Sequence, residues 1–98
     1  MIRIALPFHL QTLARVDREI TVQVEGVATQ TTVLDALEKA CPMLRGTIRD
    51  HITLKRRPKV RFYADGKDVT HDSPDSALPQ AVVSGAEPFR IIGAISGG

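Results

Sequence analysis

The residues of this 98-residue chain best placed to do chemistry are the last ones, Ile95-Ser96-Gly97-Gly98. Glycine has no Cβ, so a Gly-Gly end passes through a narrow slot and brings a bare carboxylate against another protein's backbone. The role this opens is that of a substrate, with Gly98 as the reacting residue and Gly97 and Ser96 giving access to it. Residues 96–98 are expected to form a flexible Ser-Gly-Gly tail, as chain ends generally do. Ahead of them, Phe89-Arg90-Ile91-Ile92-Gly93-Ala94-Ile95 is an apolar, β-branched run suited to a buried strand. The glycines therefore leave the fold with almost no linker.

Other reactive types are less well arranged. The single cysteine, Cys41, falls on the apolar side of a helical repeat, where a thiol packs as a small hydrophobe rather than serving as a nucleophile. One cysteine also excludes an internal disulfide and suits a reducing compartment. His9, His51 and His71 are far apart and lack cysteines or carboxylates at ligand spacing, so no metal site is expected. Val83-Ser84-Gly85 reads as a turn, not as a serine nucleophile. Lys55-Arg56-Arg57-Pro58-Lys59, with Arg61 close by, is the one charge cluster. It reads as a solvated loop; as a docking element it would fit an acidic protein patch, since only Phe62 and Tyr63 lie near enough to stack on bases.

Length and composition set the frame for these residues. Ninety-eight residues, 43% of them hydrophobic, make one domain, 1–98, with one core. A net charge of +2 is too weak to argue for nucleic acid. No apolar run approaches the roughly 20 residues that span a bilayer, and Met1 to Pro7 lacks the pattern of a signal peptide. The expectation is a cytoplasmic protein with no membrane and no nucleic-acid partner.

The hydrophobic period runs from two to helical and back to two. Ile2, Ile4, Leu6 and Phe8 alternate with Arg3, Ala5 and Pro7, and Ile20, Val22 and Val24 alternate with polar neighbours, giving two strands. Pro7 cannot donate to a ladder and marks the end of the first. Gln11 to Arg18 holds no tight-turn residue and is expected to be a wide hairpin loop. Thr32 and Asp35 have the spacing of a helix start. Leu34, Leu37 and Cys41 form the apolar stripe beyond it, opposite Asp35, Glu38 and Lys39, and Pro42 ends the helix and opens a short turn closed by Gly46. Ile48 to Arg57 is read as an irregular polar connection. Val60 to Tyr63 form a third strand, Asp65-Gly66 a hairpin turn into a short fourth around Lys67 to Thr70, Asp72 to Pro79 a surface loop, and 89–95 a fifth strand. The order ββαβββ, with the last strand returning beside the first in parallel, predicts an α+β fold: the β-grasp or ubiquitin-like roll, a mixed sheet of four to five strands with one main helix.

The residues then resemble a family. Thr32-Val33-Leu34-Asp35-Ala36-Leu37, Cys41-Pro42-Met43-Leu44-Arg45, Val60-Arg61-Phe62-Tyr63-Ala64-Asp65-Gly66-Lys67-Asp68-Val69 and Ile91-Ile92-Gly93-Ala94-Ile95-Ser96-Gly97-Gly98 are similar to the MoaD/ThiS sulfur carriers. The length and the Arg45 to Arg61 insertion are more like the longer, cysteine-biosynthesis-type carriers than the short molybdopterin synthase subunits. The chain departs from the usual pattern at Gly85-Ala86-Glu87-Pro88 and at Gly93, where members often have Pro. The resemblance implies a protein that catalyses nothing itself and binds no cofactor. An E1-like adenylating and sulfurtransferase enzyme would activate the Gly98 carboxylate with ATP. The acyl-adenylate would become a thiocarboxylate, and a sulfur-accepting biosynthetic enzyme would use it.

Three functions share these features: a sulfur carrier, including the small subunit of molybdopterin synthase; a ubiquitin-like modifier joined through Gly98 to other proteins; and an interaction module with an inert tail. For the first two, strand alternation names the docking surface. Val60 and Phe62 turn towards the helix, which leaves Arg61, Tyr63, Arg90 and Ile92 on the exposed face beside the tail.

Overall fold

A computed structural model describes residues 1–93; Ser96, Gly97 and Gly98 lie outside the described residues. The elements are β1 (Ile2–Ala5), α1 (Phe8–Ala14), β2 (Glu19–Val22), α2 (Gln30–Ala40), a 3-10 turn at Pro42–Leu44, β3 (Val60–Ala64), β4 (Lys67–Asp68), α3 (Gln80–Val83) and β5 (Phe89–Gly93). They form one five-stranded sheet in the order β2-β1-β5-β3-β4. β1 and β5 are parallel, with Ile4 opposite Phe89, and the other neighbours are antiparallel. This is the predicted mixed sheet and β-grasp order, with the last strand central and α2 as the main helix.

The strands form where alternation allows one dry face. Ile2, Ile4, Val22, Val60, Phe62, Phe89 and Ile91 are each at most 7% exposed. Against them pack Leu10 and Ala14 of α1, Val33, Leu34 and Leu37 of α2, Val82 of α3, and Leu44 and Ile48, in one cluster. Phe62 and Phe89 lie at its centre, ring centroids 5.3 Å apart and tilted by 32°, a separation typical of favourable aromatic pairs.

Three local readings need correction. The stretch read as a loop after Pro7 holds α1, and Phe8 leaves the strand alternation. Pro7 serves as its N-cap residue, and its carbonyl accepts from the N–H groups of Leu10 and Gln11. A proline fits a helix start because its missing N–H would have no partner there in any case. Leu10 and Ala14, one helical turn apart, form its buried side. Second, α2 begins three residues earlier than the Thr32–Asp35 spacing suggested. Thr29 is the N-cap and Thr32 closes the box: Thr29 N–H donates to Thr32 Oγ1 at 2.8 Å and Thr32 N–H to Thr29 Oγ1 at 3.1 Å. The two hydroxyls replace the usual Ser/Thr and Glu pair.

Third, 48–57 is a built arm rather than an irregular connection. Arg49 and Arg56 pair as an antiparallel bridge, and Asp50 N–H donates to the Lys55 carbonyl at 2.8 Å. Asp50 Oδ1 accepts from the N–H groups of Ile52 and Thr53, both at 2.8 Å. These bonds hold the Asp50 carboxyl below its usual range. Other readings stand. Asp65 and Gly66 both have positive φ, 52° and 74°, as a two-residue hairpin turn requires. The 3-10 turn begins at Pro42, and Gly46 follows it at φ 82°.

Candidate docking face beside the C-terminal segment

Register brings the four predicted face residues together. Arg61 lies opposite Ile92 and Tyr63 opposite Arg90 across the β3–β5 pairing, with all four side chains on the side away from the helices. Arg61 and Arg90 are exposed, Tyr63 is half-buried and Ile92 is 45% exposed. Tyr63, Asp65, Pro88, Arg90 and Ile92 line a cleft of about 160 Å³, a shallow apolar seat with charges at its rim.

The rim charges are partly spoken for. Arg61 reaches Asp68 at 3.8 Å. Arg3, on the same face, grips Glu19 through two bonds of 2.9 and 3.0 Å and donates to the Gly85 carbonyl at 2.9 Å. Its guanidinium lowers the Glu19 pKa, chiefly through these hydrogen bonds. The Asp68 carboxyl is also lowered, first by hydrogen bonding to Thr70. Arg90 has no ion-pair partner within 4 Å among the described residues, which leaves it available to a partner's carboxylate.

β5 is the middle strand of the sheet. Its last residue, Gly93, pairs with Val60 and packs beneath His9 of α1. A Cβ built on Gly93 would lie 2.8 Å from His9 Cε1 and 3.7 Å from Pro7 Cγ. A side chain there would have to push the exposed imidazole aside. His9 is therefore part of the surface at the tail root, a role that sequence reading missed because α1 was missed.

The remaining candidates are placed as follows. Cys41 is buried at the C-terminal end of α2, and burial pushes its thiol pKa up; a thiol that stays protonated is a poor nucleophile. Among the described residues, no group of three His, Cys, Asp or Glu is arranged to hold a metal. No helix among them is long and apolar enough to cross a membrane. In the basic cluster, Arg56 donates to the carbonyls of Arg57 and Val60 at 3.0 and 2.8 Å, and Arg57 to that of Gly46 at 3.1 Å. These two arginines fasten the arm as well as charge it.

Glu38, expected on the solvent side of α2, is buried instead. Arg49 from the arm is 4% exposed; its Nε donates to Glu38 Oε2 at 2.8 Å and its Nη2 to Asp35 Oδ1. Burial disfavours the Arg49 charge, yet the two carboxylates more than offset it and its pKa is raised. A buried carboxylate needs such a partner. Here the partner comes from a distant segment, and the spacing within the helix could not reveal it.

No protein-family model and no curated protein matches the sequence. Solved structures do match in shape. SAMP1 from Haloferax volcanii superposes with a TM-score of 0.76 at 23% identity, over 98% of this chain and 97% of that one. A chain of the Amycolatopsis orientalis BexX/CysO complex gives 0.75 at 16% identity, covering all of both chains. A second crystal structure of the H. volcanii small archaeal modifier protein 1 gives 0.67 at 20% identity over 91% of this chain and 88% of that one. The resemblance in sequence and the likeness in structure thus meet in one fold, and the chain has the β-grasp, ubiquitin-like fold over its described residues.

Proposed function

We propose that the chain is a protein co-substrate, a sulfur carrier whose Gly98 carboxylate is adenylated by an E1-like enzyme at the expense of ATP and converted to a thiocarboxylate. The observation that carries this reading is the place of β5: held between β1 and β3, it runs to Gly93 beside an exposed Tyr63/Ile92/Arg61/Arg90 face. A face next to this central strand lets a partner grip the domain while enclosing the chain end. Enclosure aligns the carboxylate with the ATP α-phosphate and keeps water from the adenylate. Similarity to SAMP1 and to a chain of the BexX/CysO complex supports a carrier or modifier that works with an enzyme rather than as one.

A second reading, a modifier joined through Gly98 to other proteins, is favoured by the likeness to a small archaeal modifier protein. Intact mass separates the two. Incubation with ATP, the adenylating enzyme and a sulfur donor is expected to add about 16 Da, the exchange of one oxygen for sulfur, and deletion of Gly98 or Gly97→Val to abolish the gain. A ladder of larger conjugates linked through Gly98 establishes the modifier. Adenylation of a chain lacking Gly98 overturns both.

A further inference from the structure

The arm at 48–57 ends in a tip that stands off the core. Ile52 is 78% exposed and Leu54 49%, and Leu54 stands at φ 61°, the left-handed conformation that hairpin loops usually give to glycine. The tip is nevertheless held in one shape. Asp50 Oδ1 accepts from the N–H groups of Ile52 and Thr53, and Leu54 N–H donates to the Asp50 carbonyl at 2.8 Å. Lys55, Arg56 and Arg57 follow. Arg56 and Arg57 bond to backbone carbonyls, which leaves their charge in place. None of the three forms an ion pair within 4 Å among the described residues. A preorganised apolar tip with cations behind it fits an apolar recess with carboxylates at its rim.

Such a recess is present on the same chain. The cleft of about 160 Å³ on the outer face has Tyr63, Pro88 and Ile92 in its lining, and Asp65 and Glu87 set two carboxylates there against the one guanidinium of Arg90. Neither carboxylate forms an ion pair within 4 Å among the described residues. Spaces of about 150 Å³ accept a benzene ring, so this one has room for a branched aliphatic side chain. The arm packs on α2 through Arg49, on the helix side of the sheet, and the cleft opens on the other, so a tip does not reach its own cleft. We infer that the Ile52 tip of one copy seats in the Tyr63/Ile92 cleft of a second copy, with the cations of the arm facing Asp65 and Glu87. Tip and cleft are unlike patches on opposite sides, so the contact runs head to tail instead of closing as a symmetric pair. One apolar tip and a few charges bury far less than the roughly 1,200 Å² of stable complexes, so the association is weak, with a dissociation constant of about 0.1 to 1 mM. Its consequence, which rests on the carrier reading above, is that concentrated free carrier covers its own docking face and the adenylating enzyme must compete for it.

Self-association of the purified full chain tests the contact without any enzyme. Sedimentation equilibrium at concentrations on either side of the expected dissociation constant should show a weight-average mass that rises with concentration, and rises less as salt is added. On dilution, amide NMR shifts should move together at His51 to Leu54 and at Tyr63, Asp65 and Ile92. Ile52→Ser and Ile92→Lys, both at exposed positions, should each weaken association about tenfold or more and leave thermal melts near those of the wild type. Mixed in equal amounts the two should associate again, since one supplies an intact cleft and the other an intact tip. Phe8→Ser removes a side chain that is 74% exposed on α1, away from both patches, and should change nothing. A mass that stays monomeric throughout, an association that both variants leave intact, or a mixture of the two that does not associate overturns the inference. A monomeric chain in which Ile52→Ser loses binding to the adenylating enzyme, or to vesicles of phosphatidylserine, assigns the tip to that surface and also overturns it. Absence of ATP–pyrophosphate exchange at any carrier concentration brings down the carrier reading and not this contact.

Discussion

The two faces of the sheet are built from the same strands and share almost nothing else. On the inner face, Ile2, Ile4, Phe62, Phe89 and Ile91 are all but sealed from water. On the outer face, Arg3, Arg61, Tyr63, Arg90 and Ile92 alternate with them one residue away. The inner set interlocks with three helices, so each side chain has many neighbours and little freedom to relax. The outer set holds a few ion pairs at its margins and an apolar seat in the middle. Stability is thereby concentrated on one side and the other is left open to solvent, and the alternation of a strand keeps the two separable.

The sharpest way to break this separation is from the inside. Phe62→Ala removes half of the central aromatic pair and is expected to cost about 3 to 5 kcal/mol. Leu37→Ala, fully buried on α2, should cost about 2 to 5 kcal/mol by the same loss of transfer energy plus cavity. Urea melts measure both. A loss below about half a kilocalorie at either position would mean that the stripe does not carry the core.

Much of this division was legible in the sequence. Val60 and Phe62 alternate with Arg61 and Tyr63, and Asp65-Gly66 marks the next turn, so β3, its turn and its two faces could be assigned. The β5 run from Phe89 to Gly93 could be read the same way. Three features could not, each for a physical reason. α1 is seven residues long, and its buried pair Leu10 and Ala14 is too short a stripe to stand out from a loop. The Thr29–Thr32 cap uses a second threonine where a carboxamide or carboxylate is usual, so the Thr32–Asp35 spacing drew attention to the wrong start. The Arg49–Glu38 pair spans an eleven-residue separation between a helix and an arm, and a charged residue read alone on a helix is assigned to solvent. The place of His9 at the tail root was missed for the first of these reasons, since His9 belongs to α1.

On the outer face the expected effects move from stability to binding. If the proposed adenylating partner docks here, Tyr63→Ala and Ile92→Asp should each weaken its affinity by about 1 kcal/mol or more, about fivefold, while changing the domain's own stability by less. Arg61→Glu should mainly slow association, with an effect that shrinks as salt is added. Titration of labelled carrier against the enzyme, paired with thermal melts, reads both quantities. Unchanged affinity in all three variants would place the interface elsewhere, on the basic loop from Lys55 to Lys59. A large loss of stability in Tyr63→Ala would show that the outer face also carries the fold.

The smallest expected effect is the acid response of the outer margin. Glu19, held by Arg3, and Asp68, held by Thr70, have carboxyl pKa values lowered on folding, as does Asp50 in the arm. A carboxyl that is more acidic in the folded chain adds stability at any pH above the unfolded value, about 4 for these residues, and that contribution is lost as the pH falls through the folded value. The melting temperature should therefore be flat from neutral pH down to about 5 and fall below about 4. Glu19 and Asp68 are partly exposed, so solvent screens both and the fall should be a few degrees at most. In Glu19→Gln the curve should be shallower, because the ion pair with Arg3 is no longer there to lose. Phe62→Ala should shift the whole curve down without changing its shape, since the Phe62 side chain is no part of the Glu19, Asp50 or Asp68 hydrogen bonds. An identical acid slope in Glu19→Gln would show that the Arg3 pair, although well formed, contributes nothing measurable. The margin of the outer face would then be free to rearrange when a partner docks.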